Sequence, residues 1–236
     1  MREHAELVEA VRLQKVIWGF DDVELLPVRL FVVATKVGGQ VFGAFDAERM
    51  VGFLLAIPGV KPGGRSYLHS HMMGILPDYR DRRIGRMLKL RQREEAMKAG
   101  LDLVEWTFDP LEIRNAHFNI QGLGAIVRRY VLNQYGTTTS HLHGGLPTDR
   151  CVAEWHLASP RVEALLAGNP PDVSPAERIE VPGDIADIRI TDPQRARDIQ
   201  RRISHDFLEN FSRGLAVTGF QRGNGAAAYL FEPWDS

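Results

Sequence analysis

Four arginines, Arg80, Arg82, Arg83 and Arg86, surround Ile84 and Gly85 in the stretch DYRDRRIGRML. Guanidinium groups are permanently charged forks that match phosphate oxygens, and a glycine among them leaves the backbone open to close approach. The helical run RMLKLRQREEAMK follows at once. The first amides of that helix have no intrahelical acceptor, and the positive end of its dipole, about half a unit charge, points to the same place. An anion fits there, and a diphosphate fits best. A Rossmann-type dinucleotide loop also puts phosphate at a helix start, but it needs a framework of glycines. Gly85 stands alone in this turn, so Glu105, further along the chain, cannot carry that reading. Two His-x-His pairs, His69/His71 and His141/His143, have the spacing of metal ligands on a strand. A zinc site needs more ligands at fixed geometry, and neither a cysteine pair nor a helical His-Glu motif supplies them, so no metal is expected.

The elements that must position these residues are legible around them. SYLHSHMMGILP alternates as a strand before the arginines, and LDLVEWTFDP reads as a strand over 101–109 after the helix. Upstream, residues 3–17 read as a helix with two apolar sets facing different ways, Leu7, Val8 and Val11 against Leu13, Val16 and Ile17. Residues 26–37 suit a short helix or a strand by periodicity. Strands at 40–46 and 50–58 form a hairpin about the turn Asp46-Ala47-Glu48-Arg49. Downstream, LEIRNAHFNIQGL reads as a helix stopping at Gly124, and IVRRYVLN and CVAEWHLA read as strands around a polar insertion, QYGTTTSHLHGGLPTDR. The composition from about 160 to 182 turns to Pro, Ala and Glu, as in a linker or wrapping segment. A helix over 193–212 and the strands GLAVTGFQ and AAAYLFEP complete the chain.

Arg80-x-x-Arg83-x-Gly85, with its lead-in Pro77-Asp78-Tyr79 and its strand, loop, helix and strand context, resembles the Arg/Gln-x-x-Gly-x-Gly/Ala signature of the GNAT acyltransferases. Arg83 stands where that family usually has its first glycine, which implies a backbone conformation tolerated with a side chain present. The resemblance covers about residues 4–158, and LVEWTFDPLEIRNAHFNIQGLGAIVRRYVLNQYG is similar to a GNAT subgroup with a C-terminal extension. It implies an α/β (α+β) fold with a mixed, mostly antiparallel sheet splayed at the cofactor site. It also divides the chain into a core at 1–158 and an extension at 159–236, and favours a helix over 26–37.

For function, the resemblance implies binding of acetyl-CoA or another acyl-CoA and direct acyl transfer to the amino group of a small acceptor such as an amino acid. Acetyl and succinyl groups both stay open, since some relatives of that subgroup are associated with succinyl transfer to D-amino acids. The diphosphate would lie at Arg80, Arg82, Arg83, Ile84, Gly85 and Arg86. The pantetheine arm would pair with the strand edge at Met73, Gly74, Ile75 and Leu76, and an amide near Ile75 would polarise the thioester carbonyl. Asn115 corresponds to a cofactor contact. Ile120 occupies the position of the tyrosine that usually protonates the departing thiolate, leaving His117, one helical turn earlier, as a substitute acid.

An attacking amine must be neutral, so a base is needed. The alternation of SYLHSHMMGI puts Tyr67, His69, His71, Met73 and Ile75 on one face, and Glu105, Thr107 and Asp109 share a face of the next strand. His71 or Glu105 could take the proton if those faces meet. Asp109 before Pro110 is also an ordinary turn opener. Residues 137–143 could form the acceptor-side wall, and Arg128 or Arg129 could grip a substrate carboxylate bidentately. The absence of the usual tyrosine keeps a non-catalytic acyl-CoA-binding module or sensor in play, and a structural or partner-binding protein that uses the tail for dimerisation is a third possibility.

Composition narrows the field. The chain has 236 residues, 44% of them hydrophobic, with 29 Lys and Arg against 30 Asp and Glu. Its formal charge of −1 gives no global attraction to nucleic acid or anionic membranes. The lone cysteine, Cys151, excludes an internal disulfide. No apolar run approaches the ~20 residues of a membrane span. The N-terminal MREHAELVEAVRLQKVIWGF mixes acids and bases, unlike a signal sequence, so a cytoplasmic protein is expected, with a homodimer as one possible form.

Overall fold

A computed structural model describes residue 1 and residues 3–136 and 145–234. These residues form seven α-helices and nine mostly antiparallel strands, in two compact units that meet in sequence between Trp106 and Thr107.

The first unit opens with α1 (His4–Trp18), where Glu3 and Glu6 close a reciprocal capping box and Gly19 ends the helix in the left-handed conformation. One face of α1 is buried, carrying Leu7, Ala10, Leu13, Gln14 and Ile17, while Val8 and Val16 are exposed. The two apolar sets are therefore a single stripe. Ala10 belongs to it, and Gln14 enters it because its amide is satisfied at both ends by the backbone of Leu26. Next comes α2 (Val28–Lys36), a helix as the resemblance implied, burying Phe31 and Ala34. Strands β1 (Gln40–Asp46), β2 (Arg49–Val60), β3 (Ser66–Ile75) and β4 (Leu103–Phe108) follow in spatial order, with α3 (Ile84–Lys98) between β3 and β4. β1, β2 and β3 pair antiparallel, and β3 and β4 run parallel. The core joins the buried faces of α1 and α2 to Val41, Val51, Phe53, Leu55 and Leu76.

In the second unit, α4 (Ile113–His117) runs on into a π-helical turn (Phe118–Gly122). Gly124 then takes a φ of 81° that favours glycine. Strands β5 (Ile126–Val131), β6 (Arg150–His156), β7 (Glu177–Pro182), β8 (Leu215–Arg222) and β9 (Ala226–Pro233) lie in the order β6-β5-β8-β9-β7. The residues from 160 to 182 are not a plain linker. Ser159 caps α5 (Pro160–Leu166) by accepting from the Val162 amide, with Pro160 pre-set for a first helical turn. The alternating ERIEVP pairs with β9 as β7. A further helix, α6 (Ile185–Thr191), precedes α7 (Pro193–Ser212). Phe207 of α7 anchors this core, with its ring 4.9 Å from Tyr229, 5.1 Å from Tyr130 and 5.4 Å from Phe231.

Candidate functional site

The ladder between β3 and β4 contains only the pairs Leu68↔Val104 and His69↔Glu105. Among the described residues, β3 continues from Ser70 to Ile75 with no ladder to β4. Its far edge is held by β2 as far as Gly52↔Ile75. A strand paired on one edge only offers a row of amides and carbonyls to an extended ligand. Met73, Gly74 and Ile75 lie on this stretch, and Leu76 follows with its amide donated to Val51.

A bulge changes which way these residues face. The β2–β3 register passes from Ala56↔Ser70 to Leu55↔Met72, leaving His71 as the extra residue. The simple alternation of Tyr67, His69, His71, Met73 and Ile75 is thereby broken. Met72 packs against the core of α1 and α2. The Met73 side chain instead reaches α3, where a Cβ on Gly85 would lie 3.4 Å from Met73 Cε.

The arginine turn has the shape its chemistry requires. After the short turn Pro77–Tyr79 the chain takes left-handed conformations at Asp81 and Arg83, each with φ of 62°. Arg83 is the residue before α3, so the departure from glycine falls on a position where glycine is the unstrained choice. Ile84 packs into the core and fixes the helix start. The amides of Ile84 and Gly85 open the helix without intrahelical acceptors, and Gly85 puts no side chain in front of them. Arg80, Arg82 and Arg83 are exposed and Arg86 is half-buried. Arg82 stacks on the Tyr79 ring at 4.7 Å, and the Tyr79 hydroxyl donates to Asp46 at 2.7 Å, tying the turn to the β1–β2 hairpin. These residues fit a diphosphate.

Titratable groups gather where the ladder ends. Lys61 Nζ donates to the buried Glu105 at 2.5 Å and lies 4.8 Å from the centre of the Tyr67 ring. His69 and His71 are half-buried, with rings 5.9 Å apart. Burial, helped by the charges of His71, Lys89 and Lys61 and opposed by Glu105, pushes His69 down to about 4. Burial lowers His71 as well. Both imidazoles are therefore neutral, proton-accepting groups at neutral pH. Glu105 is engaged by Lys61, which leaves His71 the less encumbered base.

Lys89 is the residue that sequence reasoning missed. It is 2% exposed, and its Nζ lies 2.9 Å from Ser70 Oγ, 3.0 Å from Gln92 Oε1 and 3.6 Å from the centre of the Trp106 ring. Burial pushes its pKa well below the ordinary lysine value. The available signal was helical spacing, since Lys89 shares the buried stripe of α3 with Leu88, Gln92 and Ala96.

The other expected site residues stand in the second unit. Asn115 is exposed and accepts from Asn119 Nδ2 at 3.2 Å, while Ile120 is fully buried. His117 packs edge-on to Phe220 with ring centres 6.5 Å apart, and burial and Arg222 lower its pKa. Arg128 and Arg129 both engage the buried Glu154, at 2.6 and 3.3 Å. Asp109 accepts from the Leu111 amide, as a turn opener does, and from Arg189 at 2.7 Å. His141, His143 and the wall expected at 137–143 lie outside the described residues. Among the described residues, no group of three or more His, Cys, Asp or Glu is placed to hold a metal ion, and no helix is long and apolar enough to cross a membrane.

No family model matches the sequence. No curated protein matches it either. Solved structures do match by shape. The ribosomal-protein-S18-alanine N-acetyltransferase of Escherichia coli superposes with a TM-score of 0.51 at 16% identity, over 66% of this chain and 91% of its own. Arabidopsis thaliana Naa50, in complex with a bisubstrate analogue of CoA, gives 0.51 at 17% identity over 64% and 93%. Salmonella typhimurium yncA, with its cofactor acetyl-CoA, gives 0.53 at 15% identity over 67% and 94%. The chain has the mixed α/β fold of the GNAT acetyltransferases.

Proposed function

We propose that this chain is a coenzyme A-dependent acyltransferase that moves an acyl group directly onto the amino group of a small acceptor such as an amino acid. The observation that carries the reading is the ladder ending at His69↔Glu105, beyond which the edge of β3 leading to the arginine turn at the start of α3 has no ladder to β4 among the described residues. Likeness to proteins that bind acetyl-CoA or act as N-acetyltransferases supports it. Arg80, Arg82, Arg83 and Arg86 with the amides of Ile84 and Gly85 hold the diphosphate, and Met73 to Ile75 pair with the pantetheine amides, since the Leu76 amide and carbonyl are taken by Val51 and Tyr79. Bound in this way, acyl-CoA supplies an activated thioester. His71, held neutral by burial, takes the proton from the amine, and the Lys61–Glu105 pair fixes the polar surroundings of the two histidines.

The second reading is an acyl-CoA sensor, favoured by the buried Ile120 at the position of the usual acid. Purified protein incubated with acetyl-CoA or succinyl-CoA and a panel of amines, amino acids and peptides with free N-termini separates the two. Thiol released only when an amine is present supports the enzyme. Tight binding without release supports the sensor, and no binding of any CoA species refutes both.

A further inference from the structure

Lys89 sits at the fork of the sheet. Ser70 is the residue after the last paired position on β3, and Trp106 is the residue after it on β4. The Lys89 ammonium touches both, by a hydrogen bond of 2.9 Å and a ring contact of 3.6 Å. Gln92 Oε1 takes a third position at 3.0 Å. No carboxylate contacts Nζ among the described residues, although buried charges are ordinarily paired. The nearby groups are His69, whose pKa the Lys89 charge helps to depress, and Glu105, which Lys61 engages.

The position also has the right distance from the diphosphate turn. Gly85 lies against Met73 and Lys89 against Ser70, so α3 runs back along β3 toward the fork. An extended pantetheine arm has about the backbone length of four residues, or ~13–14 Å at strand spacing, and β3 from Ile75 back to Ser70 spans ~15 Å with its bulge. A cofactor whose diphosphate lies beyond the first turn of α3 and whose arm pairs from Ile75 back along β3 therefore brings its sulfur toward Ser70, beside Lys89.

We infer that Lys89 is the acid of the reaction, placing its ammonium against the sulfur that leaves. This rests on the proposed acyl transfer. The amine nitrogen bonds to the thioester carbon, the carbon–sulfur bond breaks, and sulfur departs with the electron pair and takes a proton from Lys89. The amine's own proton goes to His71, and Lys89 recovers its proton from solvent. Burial makes the ammonium a stronger acid than an exposed lysine. The role of the missing tyrosine, for which His117 stood as a substitute, then falls to a group on α3.

The test needs no turnover. The ultraviolet absorbance of the CoA thiolate, titrated with CoA bound to the full chain, should show at least tenfold more thiolate at neutral pH than free CoA, whose thiol ionises near ~8.5. Lys89→Met should abolish that excess and lower kcat about 100-fold with KM for acyl-CoA within about threefold, the scale of a lost general acid. His117→Ala should change neither. If Lys89→Met does not fold, Lys89→Gln, which keeps hydrogen-bonding capacity, replaces it. Bound CoA that titrates like free CoA overturns the inference even where amine acylation proceeds, so the two readings fail separately. CoA that does not bind at all overturns both.

Discussion

Arg83→Gly should stabilise the free protein while weakening its hold on CoA, and the two effects can be separated. Arg83 is left-handed, with φ of 62° and ψ of 8°, a conformation that costs a residue with a side chain ~1–2 kcal/mol. Glycine escapes that cost but returns ~0.4–1 kcal/mol through the greater freedom of its unfolded chain. The net gain is about 0.5–1 kcal/mol, and since 1 kcal/mol moves Tm by roughly 2–4 °C in chains of this size, the variant should melt about 1–4 °C higher. The side chain is exposed, so its attraction to a phosphate is worth only ~0.2–1 kcal/mol and the Kd for CoA should rise no more than about fivefold. Arg83→Ala loses the same charge and keeps the strain, so its Kd should match that of the glycine variant while its Tm stays near wild type. Thermal melts without ligand and calorimetric titration with CoA read both quantities. Equal melting temperatures for the two variants would refute the strained turn, and a Kd unchanged in both would remove Arg83 from the phosphate site.

Gly85→Val should leave Tm within a few degrees, because the added Cβ meets only the flexible end of Met73 at 3.4 Å. Its methyls occupy the approach to the amides, so CoA affinity should fall at least tenfold by calorimetry; unchanged affinity in the folded variant contradicts the diphosphate assignment. Lys61→Met should destabilise more than Glu105→Gln in urea melts, since it takes the paired cation from a 4% exposed carboxylate whereas Lys61, 24% exposed, can turn to water (~1–2 kcal/mol). Burial alone would raise the Glu154 carboxyl, but the nearby His156 at 3.6 Å, the hydrogen bond from Arg128 and the charges of Arg128 and Arg129 outweigh it and hold it at about 2 against an ordinary 4.5. Its pKa is depressed by folding, so it contributes on the order of 3 kcal/mol above pH ~4.5 that is lost as pH falls toward 2. Glu154→Gln should flatten that acid limb in melts across pH, and an unaltered limb would show that other groups cause it.

The arginine turn was legible because its chemistry is written in residue types at fixed spacing and needs only a strand and a helix beside it. The hairpins and α7 were legible for a similar reason, since apolar period and turn residues are local. The bulge at His71 was not, because SYLHSHMMGI reads as unbroken alternation, and only the register with β2 reveals the extra residue. It reverses the facing of Met73 and separates the histidines from the cofactor-edge residues that seemed to share their face. Lys89 was hidden by composition, among the charges of RMLKLRQREE, where helical spacing alone marks it as buried. β7 and α5 were masked by prolines that punctuate rather than prevent them, one standing at a helix start and another at a strand end.

One helix ties the two ends of the proposed cofactor site together. Gly85 and Lys89 lie one turn apart on α3, a rise of ~6 Å, with the first against Met73 and the second against Ser70. Ile84 and Leu88 seat that helix by their burial, and the Lys89 contacts with Ser70 and Trp106 fix its distance from the fork. The spacing between the helix start and the fork is therefore set by a rigid element packed along β3, not by loops that could drift independently. A change that slides α3 along the strand must disturb both ends at once. A substitution confined to the arginine turn should change cofactor affinity and turn strain but not the chemistry at the fork, because it leaves the fork in place.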